Sequence, residues 1–243
     1  MAHSLPPQAR YVEELATDCG GAGSGYVRFR EQPLSPRNQL ADLAHQFSMV
    51  LTAEMPVPSP VQPGKPGLIV RGASGKRSMH VLRWGFPRPG RNIERSPVNF
   101  VADLTNPMWD GMVPDPRYRC LIPVSALGQP DGPKGSMTRT WFTIPEWPVF
   151  ALAGFCRSVP DWGAVYAAMT GDSNELVKPL NDRSPIVLAP NEYDRWLSAS
   201  IQDAIGFQFR APFPAARMAM ERTDELWVPL TERSNRPRRK QEE

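Results

Sequence analysis

Histidine and cysteine are scarce, with three of each in 243 residues. His3, His45 and His80 lie far apart in the sequence and none pairs with a cysteine at metal-ligand spacing, which excludes a structural zinc motif; no metal is expected. Cys19, Cys120 and Cys156 form an odd set without CxxC spacing, so reduced thiols are expected rather than a disulfide framework. No apolar run approaches the eighteen residues of a membrane span, and no basic segment leads into an apolar one at the amino terminus. Neither a membrane helix nor a signal peptide is expected, and the expected compartment is the cytoplasm. Phosphate loops are missing too: "GKPG" and "GGAGSG" do not fit GxxxxGK[ST], and neither sits between a strand and a helix. No cofactor is expected. With no GxSxG elbow and no histidine near a serine motif, a hydrolase triad has no support.

What is present is an ordinary core-forming composition, 41% hydrophobic and 22% charged, combined with 28 prolines and 18 glycines. That much turn chemistry fits short strands rather than a helical bundle. Strands are expected at Leu68–Val70 and Met79–Leu82, joined by a turn over Gly72–Lys76, and around Tyr118–Pro123, Trp141–Ile144, Val149–Gly154, Ala164–Met169 and Ile186–Leu188. One helix is expected in "SPRNQLADLAHQF", with Ser35 as N-cap, Pro36 in the first turn, and Leu40, Leu43, Ala44 and Phe47 at helical spacing. A second should begin at Asn191 and carry Tyr193, Trp196 and Leu197 on one face. The proline-rich stretch "EMPVPSPVQPGKPG" reads as an extended loop. The order favours a single α+β domain with mixed or antiparallel sheet, spanning residues 26–230. Residues 1–25, which include "DCGGAGSG", read as a flexible leader, and residues 231–243 as a basic disordered tail. That tail holds five basic and three acidic side chains, hence +2 of the net charge of +3, so the body itself is not basic.

Five stretches in one consistent order, "VLRWGFP" (81–87), "VNFVADL" (98–104), "RYRCLIPVSALGQP" (117–130), "VFALAGF" (149–155) and "LVKPLNDRSPIVLAPNEYDRWL" (176–197), resemble the SRAP family, the SOS response-associated peptidases. The family counterparts run RWGL-P, NARAET, RRCLIPADGFYEW, FAFAGLW and L-PIHDRMPVIL-PEDWDAWL. The resemblance covers roughly Tyr26 to Leu197 and implies strand-rich sheets curled into a barrel-like core with flanking helices. It also implies binding of single-stranded DNA and capture of abasic sites. In the family an amino-terminal cysteine supplies thiolate and α-amine, which close a thiazolidine on the sugar aldehyde, while a motif Asn, a Glu and a His orient the reaction and move protons.

Carried over residue by residue, the motif asparagine is Asn99, the glutamate position holds Gln129, the histidine position holds Asn181, and the nucleophile position holds Tyr26. Val101, Asp103 and Leu104 replace the motif arginine, glutamate and threonine. Neither amide can take or give a proton near neutral pH. The resemblance therefore implies a degenerate member with no intact catalytic set. Expected DNA contacts are Arg83, Trp84, Asn99 and Arg183, with Trp84 either stacking on a base or sitting in the core, and Asn99 either a site residue or a turn residue. Asp182 and Arg183 are expected as a structural pair. A rival reading keeps the cross-linking enzyme alive through processing that exposes Cys19, although the spacer Gly20–Gly25 would leave its sulfur on a long tether. Another rival is a protein-interaction module that has left DNA. Cys120 and Cys156 are expected as inert core thiols, and a monomer is the default assembly.

Overall fold

The computed structural model describes residues 26–28 (backbone only), 43–49, 61–73, 75–87 and 97–227. The expected leader with Cys19, the tail, and Ser35, Pro36 and Leu40 of the first expected helix lie outside the described residues. Its last helical residues, 43–46, are described, and they place Leu43 and Phe47 in the core.

Strands β2 (Pro66–Ala73) and β3 (Lys76–Trp84) form one long antiparallel hairpin in register from Pro66↔Arg83 to Ala73↔Lys76. Gly75, at φ +74°, takes the left-handed conformation that the tight turn requires. The pairing extends beyond the expected apolar cores of both strands, because cross-strand hydrogen bonds also hold the polar residues near the turn. β5 (Arg119–Val124), β8 (Phe150–Val159) and β9 (Gly163–Asp172) complete a closed ring in the order β9, β3, β2, β5, β8 and back to β9. Closure removes free sheet edges. β3 meets β9 in parallel, Trp84↔Tyr166, whereas the other ring pairings are antiparallel, so the sheet is mixed as expected.

Both faces of β5 and of β8 as far as Cys156 are buried, which is why they read as continuous apolar runs instead of alternating ones. Alternate residues feed two clusters. Leu68, Val70, Leu121, Phe155 and Met169 join the helices, and Ile69, Ile122, Trp84 and Tyr166 form the second cluster. A Cβ on Gly67 would lie 2.0 Å from the Tyr166 hydroxyl, although β2 and β9 are not neighbours. The second cluster therefore fills the interior of the ring, and glycine is needed where a backbone faces that ring of Tyr166.

Around the ring, β4 (Phe100–Val101) lies parallel to β9, β10 (Arg183–Pro185) extends from the end of β9, and β11 (Val187–Leu188) pairs with β8. The single strand expected at Ile186–Leu188 is thus divided. Ile186 is the crossing point, its N–H donating to Met169 O and its carbonyl accepting from Ala153 N, both at 2.9 Å. A second sheet, in the order β1 (Tyr26–Arg28), β6 (Ala126–Asp131), β7 (Thr138–Thr143), β12 (Ala219–Leu226), stands beside the ring. Phe142 and Leu127 connect it to the interior cluster.

The second expected helix begins differently from its sequence signal. A 3₁₀ turn at Pro190–Glu192 precedes α1 (Tyr193–Leu197), and the Glu192 carboxylate accepts from Ala189 N at 2.8 Å; Asn191 is exposed and caps nothing. The tighter turn follows from Pro190 at its first position. α2 (Ile201–Gln208) is an addition to the expected elements, opened by Ser200 Oγ accepting from Asp203 N. Trp196 donates from its indole to Cys120 O at 2.9 Å and anchors α1 on β5. Cys120 and Cys156 are buried and form no disulfide, and burial pushes the Cys120 thiol pKa well up.

Candidate functional site

Gln129 lies on β6, 5% exposed, and Asn181 occupies the corner just before β10. Asn181 Nδ2 donates to Gln129 Oε1 at 3.1 Å. The polarity of this amide pair is set by the corner itself: Asn181 Oδ1 already accepts from Arg183 N at 3.1 Å, leaving only the NH₂ group to face Gln129. In the β1–β6 ladder the backbone of Tyr26 pairs with Gly128, one residue from Gln129. Positions 26, 129 and 181, separated by up to 155 residues in sequence, therefore meet where the second sheet abuts the end of β9 and β10.

Asn99 stands on the other side of β9. Its carbonyl accepts both Trp84 Nε1 and Ala168 N at 3.1 Å, while its buried Oδ1 has no partner among the described residues. Gly85 makes room for this amide. At φ +118° a Cβ there would lie 2.7 Å from Asn99 Oδ1 and 2.4 Å from Pro97 Cβ, so the kink after Trp84 depends on glycine.

Trp84 itself corrects one expectation. The ring is 1% exposed, stacked on Tyr166 with centroids 6.3 Å apart and set edge-on to Phe100 at 5.8 Å. A ring enclosed in this way has no free face for a base, so of the two readings open in the sequence the core one holds. Arg83, its half-buried neighbour, lies on β3 opposite Pro66 and Val165.

Arg183 is a clamp. Nη2 donates to Thr170 O at 2.7 Å and Ala102 O at 3.0 Å, Nε reaches Thr170 Oγ1 at 3.3 Å, and Nη1 lies 3.7 Å from the Asp172 carboxylate. It ties β10 to β9 and to the chain after β4, with its side chain still 38% exposed. Asp182 is exposed, and its carbonyl accepts from Ser173 N at 2.9 Å. It makes the corner through its backbone. Where the motif carries arginine, Val101 is fully buried against β9, paired with Met169; Asp103 Oδ1 then accepts from Thr105 N and Oγ1 in a local turn, and Leu104 is buried. The three departures thus form a buried strand end, a side-chain-capped turn and a core residue.

A small cleft borders Gln129, lined in part by Asp172, Ser184, Arg210, Pro212 and Phe213, with a volume of about 20 Å³. That is room for one water molecule. Arg210 is held by the Glu192 carboxylate at 2.6 Å and by Val187 O. Two contributors to this region are not among the expected site residues: Gln208, whose Nε2 donates to Ala102 O and Thr170 O at 3.2 Å, and Phe209 beside it. A helical spacing of apolar residues from Ile201 through Ile205 to Phe209 was the available clue. Among the described residues no three His, Cys, Asp or Glu side chains are grouped as a metal ion would require. The side chains that meet at the core of the site are amides, which orient and hydrogen-bond but do not titrate.

The architecture is a strand-rich α+β barrel with an appended sheet and a neutral amide pair at their junction. The sequence profile of the SOS response associated peptidase (SRAP) family matches residues 34–225, and the chain belongs to that family. Its fold is similar to a crystal structure of a Bordetella bronchiseptica protein, 21% identical, with a TM-score of 0.64 over 83% of this chain and 99% of the other. A Bacteroides thetaiotaomicron protein, 18% identical, aligns with a TM-score of 0.61 over 74% of this chain and 87% of its own. A phage-related protein from Bordetella bronchiseptica, 17% identical, gives 0.58 over 83% and 94%. No curated protein sequence matches the chain significantly.

Proposed function

We propose that this SRAP protein binds single-stranded or abasic DNA without forming the family's covalent adduct. The observation that carries the reading is the Asn181–Gln129 hydrogen bond, 3.1 Å long, at the positions where the family motifs have histidine and glutamate. A glutamate and a histidine in contact can pass a proton; two amides in the same contact keep the geometry and lose the transfer. The motif resemblance puts Tyr26 at the nucleophile position; its phenol supplies no thiolate, and its backbone pairs with Gly128, next to Gln129. Family membership supports a DNA-related partner, and Arg183, 38% exposed, offers a fixed guanidinium toward a phosphate.

Incubation of the full chain with an oligonucleotide carrying one abasic site tests this directly. A retarded band on a native gel with no heat-stable band on a denaturing gel is the expected result. A denaturing-gel adduct that disappears in Cys19→Ala would overturn it in favour of a cross-linking enzyme.

A further inference from the structure

With Trp84 in the core, a DNA-binding reading needs another aromatic surface, and one stands next to the clamp. Phe209, at the C-terminal end of α2, is 77% exposed. Its backbone is rooted in the site: a Cβ on Gly171 would lie 2.8 Å from Gln208 O, so the end of α2 rests directly on Gly171. Gly171 lies between Thr170 and Asp172, the two residues that hold Arg183 from β9. Gln208, 2% exposed, reaches past them and donates to Ala102 O and Thr170 O, the same two carbonyls that accept Arg183 Nη2. Beyond Phe209 the chain enters the wall of the cleft through Arg210, Ala211 and Pro212, opposite Gln129.

We infer that Phe209 is a stacking platform for a base of single-stranded DNA, set beside Arg183 at the mouth of the Gln129–Asn181 site. The inference rests on the proposed DNA-binding reading and adds to it the residue that holds a base. A large apolar ring kept in water by a rigid mount exposes π-surface that any base can cover without sequence preference. The cation and the ring hang from one backbone junction, so a phosphate on Arg183 and a base on Phe209 can be held at once without ordering a loop. Ile205, 43% exposed and one helical turn earlier, widens the apolar surface. Two such side chains are far short of the roughly 1,000 Å² that a stable protein interface buries, but they match one base. The exposed carboxylates of Asp172 and Asp182 flank Arg183 and partly cancel its field. Stacking therefore carries a large share of the affinity.

Fluorescence anisotropy of a labelled oligothymidylate, titrated with wild type, Phe209→Ala and Phe209→Trp at two salt concentrations, tests the platform. Loss of one base stack corresponds to a weakening of about tenfold. Phe209→Ala should show it at both salt concentrations with an unchanged salt slope, and Phe209→Trp should restore or improve binding. Melting temperatures should match, since a side chain 77% exposed contributes little to the core. If wild type binds and Phe209→Ala binds equally well, the platform is refuted while the DNA reading stands. Absence of wild-type binding overturns both. A change in sedimentation from dimer to monomer in Phe209→Ala, with DNA binding unaltered, would assign the ring to self-association and refute the platform.

Discussion

Replacing Trp84 by alanine should destabilise the fold far more than it affects any ligand. A tryptophan buried to 1% exposure removes on the order of 200 Å² of apolar surface from water, an upper bound of about 5 kcal/mol at roughly 25 cal/mol per Å². The indole bond to Asn99 O adds about 1 kcal/mol, and no more, because that carbonyl keeps its second donor, Ala168 N. Partial collapse of Phe100 and Tyr166 into the space returns some of this, which places the net loss in the range of about 3–5 kcal/mol found for buried aromatics. Trp84→Phe keeps a stacked ring and should lose less. Urea unfolding followed by circular dichroism reads the difference as a midpoint shift of roughly 1.5–2.5 M in Trp84→Ala, given slopes near 2 kcal/mol per M. Oligonucleotide affinity of whatever fraction remains folded should be unchanged. If Trp84→Ala stays within about 1 kcal/mol of wild type yet loses DNA binding, the ring is not a core element and the packing argument fails.

Asp172→Asn removes a carboxylate that is 84% exposed and 3.7 Å from Arg183, a pair worth little to stability but one that competes with phosphate. Single-stranded DNA should bind a few-fold more tightly with a slightly steeper salt dependence, and anisotropy at two salt concentrations would show an error if affinity fell. Gly171→Ala places a methyl 2.6 Å from Ile186 Cδ1 and 2.8 Å from the Gln208 carbonyl. The side chain can move but the backbone carbonyl cannot, so thermal unfolding should report a loss of about 1–3 kcal/mol.

β5 and β8 were legible because burial on both faces leaves runs such as "CLIPV" and "FALAGFC" with no polar interruption. β6 was not, since "ALGQPD" carries the glycine, proline and aspartate of a turn; it becomes a strand by pairing with β7 from Leu127↔Phe142 to Asp131↔Thr138. β12, "AMERTDEL", has no apolar face to announce it, and it is held as a largely exposed edge by β7. α2 was hidden by Gly206 and by its short length. At the site, positions 26, 99, 129 and 181 came from motif resemblance, and the structure brings three of them together. Whether Trp84 faced solvent or core could not be read, because both outcomes are compatible with a strand-end Arg-Trp-Gly and differ only in what packs from β4 and β9. Phe209 carried no local sign of exposure; its environment is set by Gly171, 38 residues earlier.

The amide pair is also matched to its buried setting. Gln129 is 5% exposed, and a carboxylate in its place would need a charged or strongly donating partner to offset desolvation. An imidazole at position 181 would meet that need, whereas Asn181, with its oxygen committed to Arg183 N, offers a single neutral donor. Glutamate with histidine is internally matched, and so is glutamine with asparagine, whereas a glutamate facing Asn181 would be a buried charge with one neutral partner. The two positions are therefore physically coupled through this hydrogen bond. Meanwhile the Arg183 clamp, the Gly85 kink and the Gln208 bridge use backbone carbonyls and a missing Cβ, none of which depends on the protonation of residues 129 or 181. The frame that holds Arg183 and Phe209 is thus independent of proton transfer at positions 129 and 181. The two are joined at the Arg183 N–H, which donates to Asn181 Oδ1, so a substitution at position 181 reaches the frame through the corner and not through a proton.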